Sequence, residues 1–253
     1  YSIYSEVDSG RVIIEKKEDN NESSRFVLEV KERPTFTEEE YNYFKNAVGT
    51  IKKFKDGIPV YVQFYGSATD KTIKPSEESM KNFKDGAADI EKATNANLSF
   101  RYTEPPAGAP VLKAYLEVPH PELSIIFPTY ITGNLAGAAE VTKLTPDGYI
   151  KEAKIAVATK VPTWPYPFRR KELNFTILHE LINVSGAPID QDGPNDPLDS
   201  ILNDEAGGVY REPPQKYSPL DLKVFEILYL PGVEPRMGPR AVKDKVIRVI
   251  PSN

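Results

Sequence analysis

The sequence predicts an α+β fold: a twisted mixed β-sheet with two main helices, a C-terminal helix and an N-terminal β-hairpin–helix extension. Three observations lead to this class. Runs such as residues 60–65 and 111–118 alternate polar and apolar side chains, as half-buried strands do. Longer segments, among them residues 218–230, carry apolar residues at helical spacing. Turn sequences such as Pro-Asp-Gly at 146–148 separate neighbouring strands.

Length, charge and hydropathy exclude several classes of protein. A chain of 253 residues, 40% of them hydrophobic, can form one large domain or a domain with an appendage. The formal net charge of −5 argues against a nucleic-acid or anionic-membrane surface, because both need a basic face. The mean hydropathy is −0.44, and no run reaches the roughly 18 apolar residues of a membrane span. We therefore expect no nucleic-acid partner and no membrane span.

Four Asn-X-Ser/Thr sequons are present, and cysteine is absent, so neither disulfides nor a cysteine zinc site can form. The sequons begin at Asn21, Asn97, Asn174 and Asn183. Asn21 lies in a polar hairpin turn and is a better glycosylation site than Asn183, which falls inside a predicted helix; Asn97 is a second candidate. The 23 prolines and 2 methionines are typical of a heat-adapted or surface-exposed chain. We expect a secreted or surface-exposed, thermostable glycoprotein.

Residues 1–55 have the features of an N-terminal extension. Two β-branched runs, 11–17 and 26–31, flank a polar stretch and predict a hairpin. A capping box, Thr-Glu-Glu-Glu at 37–40, then opens an amphipathic helix. Its apolar residues recur at helical spacing as far as Ile51, and the turn-forming residues 55–59 end it.

The main domain is predicted over residues 56–230. A helix begins near Pro75, a second one runs from about Arg170 to Ser185, and a Ser-Pro start opens the closing helix at 218. Residues 231–253 form a Pro-rich tail that packs on the domain or on a partner, with one short apolar run, KVIRVI, at 245–250. The predicted strands of the domain are 60–65, 98–103, 111–118, 124–132, 136–144 and 150–159.

One stretch, TILHELINVSGAPID, carries part of a zinc-protease motif. The intact pattern is H-E-x-x-H-x-x-G-x-x-H, in which two imidazoles one helical turn apart bind zinc and the glutamate polarises a zinc-bound water. His179, Glu180 and Gly186 match this pattern. Asn183 stands at the second histidine position and Ile189 at the third.

Together with its flanking segments, this motif resembles the metzincin metalloproteases, and most closely the matrixin-like type. Residues 133–141 are similar to the Gly/Ala-rich edge strand above the cleft, and 147–157 to the next strand. Residues 199–203 (DSILN) stand where the family has its Met-turn, with Leu202 in place of methionine. Residues 217–229 resemble the closing helix. The resemblance covers roughly residues 59 to 230.

The resemblance implies a role for each matching residue. His179 takes the place of the first zinc ligand and Glu180 that of the general base, both vestigial here. Gly186 corresponds to the glycine at the sharp turn, and Asp190 to the position just after the third ligand. A variant site of His179, Asn183 and Asp190 for a harder metal stays open.

The replaced ligands predict a catalytically inactive chain. Ile189 has no lone pair to donate, and the amide of Asn183 is a poor ligand for a borderline-soft cation. The chain has only 2 histidines, so no spare imidazole compensates. A catalytic zinc needs three protein ligands. We therefore predict no cofactor, and keep an active zinc metalloendopeptidase with an atypical site as the alternative.

The acidic loop after the motif has oxygen groups that suit calcium, at Asp190, Asp192 and Asp196. It departs from the EF-hand pattern, because Gly193 comes too early and Ile201 stands at position twelve. A solvated turn is the simpler interpretation.

Three functions remain to be separated. The first is a pseudoprotease that binds a protein or peptide by strand addition along Gly133, Leu135, Ala136, Gly137 and Ala138. The second is a structural filament or surface-layer subunit that self-assembles through its hairpin and its KVIRVI run. The third is the atypical zinc peptidase.

Overall fold

The computed structural model describes residues 11–16, 27–129, 135–161, 167–189, 199–203 and 212–252. Within these residues the protein is a mixed α/β structure with six helices and a mostly parallel five-stranded sheet. The predicted combination of a mixed sheet with helices is therefore confirmed.

The bounds of the elements follow the chain. The strands are β1 (Arg11–Lys16), β2 (Val27–Glu32), β3 (Thr35–Thr37), β4 (Val60–Tyr65), β5 (Phe100–Arg101), β6 (Val111–Val118), β7 (Gly137–Leu144), β8 (Ile150–Ala158) and β9 (Arg248–Ile250). The helices are α1 (Glu38–Ala47), α2 (Glu77–Ala93), α3 (Leu123–Ile126), α4 (Arg170–Val184), α5 (Pro219–Leu228) and α6 (Pro239–Lys245). A 3₁₀ turn, His120–Glu122, leads into α3.

The central sheet has the strand order β5-β4-β6-β8-β7. Strands β5, β4, β6 and β8 are parallel, whereas β7 runs antiparallel to β8 and forms one edge. Strands β1 and β2 pair as the predicted antiparallel hairpin. Strand β9, from the predicted KVIRVI run, pairs in parallel with β3 of the same chain.

Side-chain caps fix where α1 and α2 begin. The Thr37 hydroxyl accepts from the Glu40 amide at 3.2 Å, and the Glu40 carboxylate accepts from the Thr37 amide at 2.8 Å. This is the capping box that the sequence predicts. Ser76 caps α2 by accepting from the Ser79 amide at 3.2 Å.

The predicted strand over residues 124–132 is wrong where the structure describes it. Residues 120–126 instead form the 3₁₀ turn and α3. This turn of helix buries Leu123 and Phe127 fully against Val118 and Ala156 on the sheet. An apolar run as short as residues 125–127 fits a buried strand or a buried helical turn equally well, and packing decided between them.

Helix α1 also ends earlier than its apolar periodicity predicts. The amide of Ile51, which would continue the helix, donates instead to the Met237 carbonyl at 2.9 Å. The Ala47 carbonyl accepts from the Ile189 amide at 3.2 Å. Tertiary hydrogen bonds thus replace the next helical turn.

The main core lies between the sheet and helices α2, α4 and α5. Helices α2 and α4 approach closely because Gly86 has no side chain: a Cβ there would lie 2.3 Å from Leu178 Cδ2. Phe44 and Phe54, from the predicted extension, are fully buried in the same core as Val242 from the predicted tail. The division of the chain into domains at residues 55 and 230 stays a prediction.

Strand β6 has a strained residue just before its end. Glu117 has φ of +60° at a bulge in the pairing with β8, a conformation that costs a non-glycine residue roughly 1–2 kcal/mol. This backbone directs the Glu117 carboxylate to the start of α2, where it accepts from the Ser76 amide at 2.7 Å. It also accepts from Arg170 Nη1 at 3.0 Å, at the start of α4. One carboxylate therefore joins β6, α2 and α4.

Stability should depend on the ionisation of Glu117. Burial alone would raise its pKa, but hydrogen bonds from Ser76, Ser79 and Arg170 outweigh this and hold the pKa below its ordinary value. Because folding lowers this pKa, the ionised carboxylate stabilises the folded state above the unfolded-state pKa of about 4.3. This stabilisation is lost as the pH falls through the pKa of the folded state. Glu117→Gln should cost about 2 kcal/mol at pH 7, and less below pH ~4.

Urea unfolding of wild type and variant between pH 3 and 8 measures this difference. Glu78→Gln is the control, because Glu78 also faces Arg170, at 3.3 Å, but is 61% exposed, and should cost under about 1 kcal/mol. A pH-independent Glu117→Gln deficit would contradict the assignment.

Candidate functional site

Helix α4 carries the motif and lies in the interior of the protein. Eleven of its fifteen residues are buried, because it packs against β7 and β8 on one side and α2 on another. At its start, the Glu172 carboxylate accepts from the Arg169 amide at 2.6 Å. Both of the motif's polar residues, His179 and Glu180, are therefore inside the fold, at 7% and 6% exposure.

Gly186 ends α4, as predicted. Its φ is +130°, its amide donates to the Asn183 carbonyl at 3.4 Å, and the Ala187 amide donates to the Ile182 carbonyl at 3.3 Å. These two bonds make a Schellman motif. A Cβ on Gly186 would lie 2.4 Å from Leu228 Cδ2. Both the turn and the packing on α5 thus require glycine.

The imidazole of His179 is held in one tautomer. Its Nδ1 lies 2.9 Å from the carbonyl oxygen of Ile201. Because a carbonyl only accepts, Nδ1 carries the proton, and in the neutral ring the lone pair is on Nε2. The Phe175 ring lies 5.9 Å from the imidazole. The ring is thus oriented as a metal-binding histidine is, by a backbone carbonyl behind it.

The carbonyl that orients His179 belongs to a turn fastened by Asp221 of α5. The Asp221 carboxylate is fully buried. Its Oδ2 accepts from the Ile201 amide at 3.0 Å and the Ser218 amide at 2.8 Å. Its Oδ1 accepts from the hydroxyls of Ser200 at 2.7 Å and of Tyr43 at 2.8 Å. This carboxylate therefore links three parts of the chain through hydrogen bonds: helix α1, the turn at 199–203 and helix α5.

Glu180 lies directly beneath the edge strand. A Cβ built on Gly137 would be 2.8 Å from Glu180 Oε1 and 2.9 Å from both the Ala156 oxygen and Thr176 Cγ2. Strand β7 can therefore lie this close to α4 only with glycine at this position. The structure brings the predicted base and the predicted peptide-binding strand together.

The two replaced ligand positions differ from each other. Asn183 Oδ1 is buried and has no hydrogen-bond partner within the described residues. The Ile189 side chain is 42% exposed, while its amide bonds to Ala47 of α1. The segment after α4 is thus attached to α1 by its main chain.

The other predicted site residues are only partly described. Gly133, Asp190, Asp192, Asp196 and Asn21 lie outside the described residues, so the calcium prediction and one glycosylation site stay predictions. Among the residues the structure does describe, no three His, Cys, Asp or Glu side chains are grouped so that they could hold a metal ion.

Four further predicted positions have clear places in the described structure. Leu135, just before β7, is 36% exposed, and Ala138 is buried on the sheet face. Ala136 accepts from the Ala158 amide at 2.8 Å. Asn97 uses its side-chain amide to bond the Tyr229 carbonyl at 3.1 Å, so a glycan at this site would replace that bond.

The sequence-based prediction gave no role in the site to three residues: Tyr43, Ser200 and Asp221. The Ser-Pro-Leu-Asp run at 218–221 is a visible helix-start signal, and the structure contains that cap, with the Asp221 amide donating to Ser218 Oγ at 3.1 Å. The second role of Asp221, toward a turn 20 residues earlier, leaves no local pattern.

No family model matches this chain, and no significantly similar curated protein was found. None of the helices in the described ranges combines the length and the apolar character needed to cross a membrane. Function has to be argued from the site itself.

Asp221→Ala should destabilise the fold and release the imidazole. It leaves two buried hydroxyls and two amides without their acceptor, so we expect a loss of about 3 kcal/mol or more in the free energy of unfolding. Asp85→Ala is the control, because Asp85 is 62% exposed in a surface pair with Lys81; it should cost under about 1 kcal/mol.

Nitrogen-15 NMR of the His179 ring reports the tautomer in the same two variants. The Nδ1–H form should be dominant in wild type and in Asp85→Ala, and mixed in Asp221→Ala. An unchanged tautomer in a folded Asp221→Ala protein would show that the turn does not orient the ring.

Proposed function

We propose that this chain is a metzincin-like pseudoprotease, secreted or displayed at a cell surface, that binds an extended segment of a partner protein along β7. The observation that carries the proposal is the contact between Gly137 of β7 and Glu180 of α4. It joins the degenerate motif to a sheet edge, which is where a protease of this type would hold its substrate.

Three features support the likeness to a metzincin. The sheet is mostly parallel with a single antiparallel strand at the edge nearest α4. The turn at 199–203 lies behind His179 and orients it through Ile201. The closing helix α5 fastens that turn through Asp221. The resemblance assigns these three elements to the edge strand, the Met-turn and the closing helix of that family.

The available ligands argue against zinc chemistry. In the motif, one imidazole is followed by an amide at 183 and an alkyl side chain at 189. The second histidine of the chain, His120, lies in the 3₁₀ turn rather than on α4. Three strong protein ligands are the rule for catalytic zinc. Glu180 would then have no metal-bound water to activate.

Strand β7 offers backbone groups to a partner strand. Ala136 and Ala158 form a hydrogen-bonded pair, so by the alternation of an antiparallel ladder residues 138 and 140 also face β8. Gly137 and Val141 then direct their N–H and C=O groups to the outer edge. Within the described residues, neither has a main-chain hydrogen bond on that side.

The side chains of β7 suit close approach of another backbone. Gly137 and Ala138 are small but buried, and exposure rises along β7 from Ala139 toward Leu144, so a partner strand would have access to that part of the edge. An extended peptide would gain main-chain hydrogen bonds here without any metal. This favours a binding module over a vestigial fold with no ligand.

Elemental analysis and a turnover assay test the inactive half of the proposal. Wild type and Glu180→Gln, prepared identically, should hydrolyse casein and a mixed peptide substrate at the same background rate, with zinc well below one per chain. A general base contributes about 10²–10⁴-fold where it is used. A loss of that size in Glu180→Gln, with stoichiometric zinc in wild type, would restore the peptidase alternative.

Substitutions at Val141 test strand addition. A peptide selected from a random library on the wild-type protein should slow amide exchange at residues 137–141. Val141→Pro removes one outward N–H and should weaken that peptide at least tenfold, whereas Val141→Ala keeps the N–H and should bind within about threefold.

Glu140→Pro is the control for the side to which each amide points. The amide of residue 140 faces β8, so its loss should lower the free energy of unfolding by about 3 kcal/mol. Equal peptide affinity in Val141→Pro and Val141→Ala would eliminate binding along this edge.

A further inference from the structure

A cavity of about 340 Å³ lies on the face of the sheet opposite α4, between β6, β7, β8 and α3. In β6, Leu112, Ala114 and Leu116 face the core, so by alternation Lys113 and Tyr115 face the other side. The volume is at the lower end of the roughly 300–1,000 Å³ typical of small-molecule sites. This cavity is separate from the motif on α4.

One end of the cavity is apolar. Ile125 and Ile126 of α3 and Ala68, from the segment after β4, line it together with the ring of Tyr115. Ile125 is 57% exposed, the most exposed large hydrophobic residue in the described chain. The Tyr115 ring is fixed by stacking on Tyr65, with ring centres 5.0 Å apart. A compact alkyl group would cover Ile125 and the ring together.

The middle of the cavity is cationic. Lys113 and Lys154 are cross-strand neighbours on β6 and β8, an arrangement that like charges disfavour. The Lys154 ammonium is neutralised by Glu140 at 2.8 Å and donates to the Ile126 carbonyl at 2.5 Å. Lys113 has no ion pair or side-chain hydrogen bond to any other described residue. Lys113 is thus a half-buried ammonium with no counter-charge paired to it in the described part of the chain.

The far end of the cavity carries one carboxylate, Glu152, which faces Lys143 at 3.6 Å, with 41% and 61% exposure respectively. That pair is largely screened by solvent. Lys154 is paired with Glu140 and Glu152 with Lys143, so the three lysines and two glutamates at this site leave one excess positive charge, that of Lys113. A monoanion balances the Lys113 charge, whereas a dianion would exceed it and be repelled by Glu152.

We propose that this cavity binds a small monocarboxylate with a short apolar chain, the carboxylate on Lys113 and the chain against Ile125, Ile126, Ala68 and Tyr115. The alkyl end recovers free energy by covering exposed apolar surface, and the charged end neutralises the lysine. The site is independent of peptide binding at β7.

Hexanoate, titrated into the full chain, is the probe. Methyl NMR of the isoleucine δ1 groups should show saturable shifts at Ile125 and Ile126, and none at Ile58, which is exposed in a turn before β4. Hexanol and hexylammonium should bind at least tenfold more weakly, because neither neutralises Lys113.

Two substitutions should act in opposite directions. Lys113→Gln should weaken hexanoate about tenfold, while Glu152→Gln removes a repelling charge and should tighten it about two- to threefold. Lys81→Gln is the matched control away from the cavity, because Lys81 of α2 is 73% exposed, and should leave affinity within about twofold. Melting curves establish that each variant is folded.

Unchanged affinity in a folded Lys113→Gln protein would overturn the proposal, as would equal binding of hexanol or shifts that include Ile58. Tighter binding of succinate than of hexanoate would also overturn it, because the site would then select charge without an apolar chain.

Discussion

The buried carboxylate of Asp221 is the interaction on which the arrangement of the site depends. A fully buried negative charge is tolerated only when hydrogen bonds replace its water, and here four donors from three parts of the chain do so. Meeting this requirement fixes α1, the turn at 199–203 and α5 relative to one another. Through the carbonyl of Ile201 it also fixes the imidazole of His179. The orientation of the motif therefore comes from outside the motif.

Close approach is the second constraint, and glycine makes it possible. Gly86 lets α2 lie against α4, Gly137 lets β7 lie over Glu180, and Gly186 lets the chain turn under Leu228. Helix α4 is consequently enclosed on several sides, and its motif residues His179 and Glu180 are interior rather than solvated. In the proposed pseudoprotease, the enclosed motif helix lacks two of the zinc ligands, and the neighbouring sheet edge supplies backbone groups for binding.

Much of the local structure could be predicted because its causes are local. The caps at Thr37 and Ser76 and the helix end at Gly186 follow from side chains within a few residues. The strand prediction was wrong at residues 124–126 because a short apolar run shows neither helical nor strand periodicity. The early end of α1 also could not be seen in advance, because its competing hydrogen bonds come from residues 189 and 237.

For the candidate site, the sequence alone determined the chemical inventory: one imidazole and one carboxylate in the motif, with an amide and an alkyl group where further ligands would stand. Donor atoms are a property of residue type, so no fold can add the missing ones. Only the tertiary structure decided the tautomer of His179, the contact of Glu180 with β7 and the position of Lys113, which has no counter-charge among the described residues. Each of these depends on distances between residues far apart in the chain, and such distances are set by packing and by the hydrogen bonding of buried polar groups.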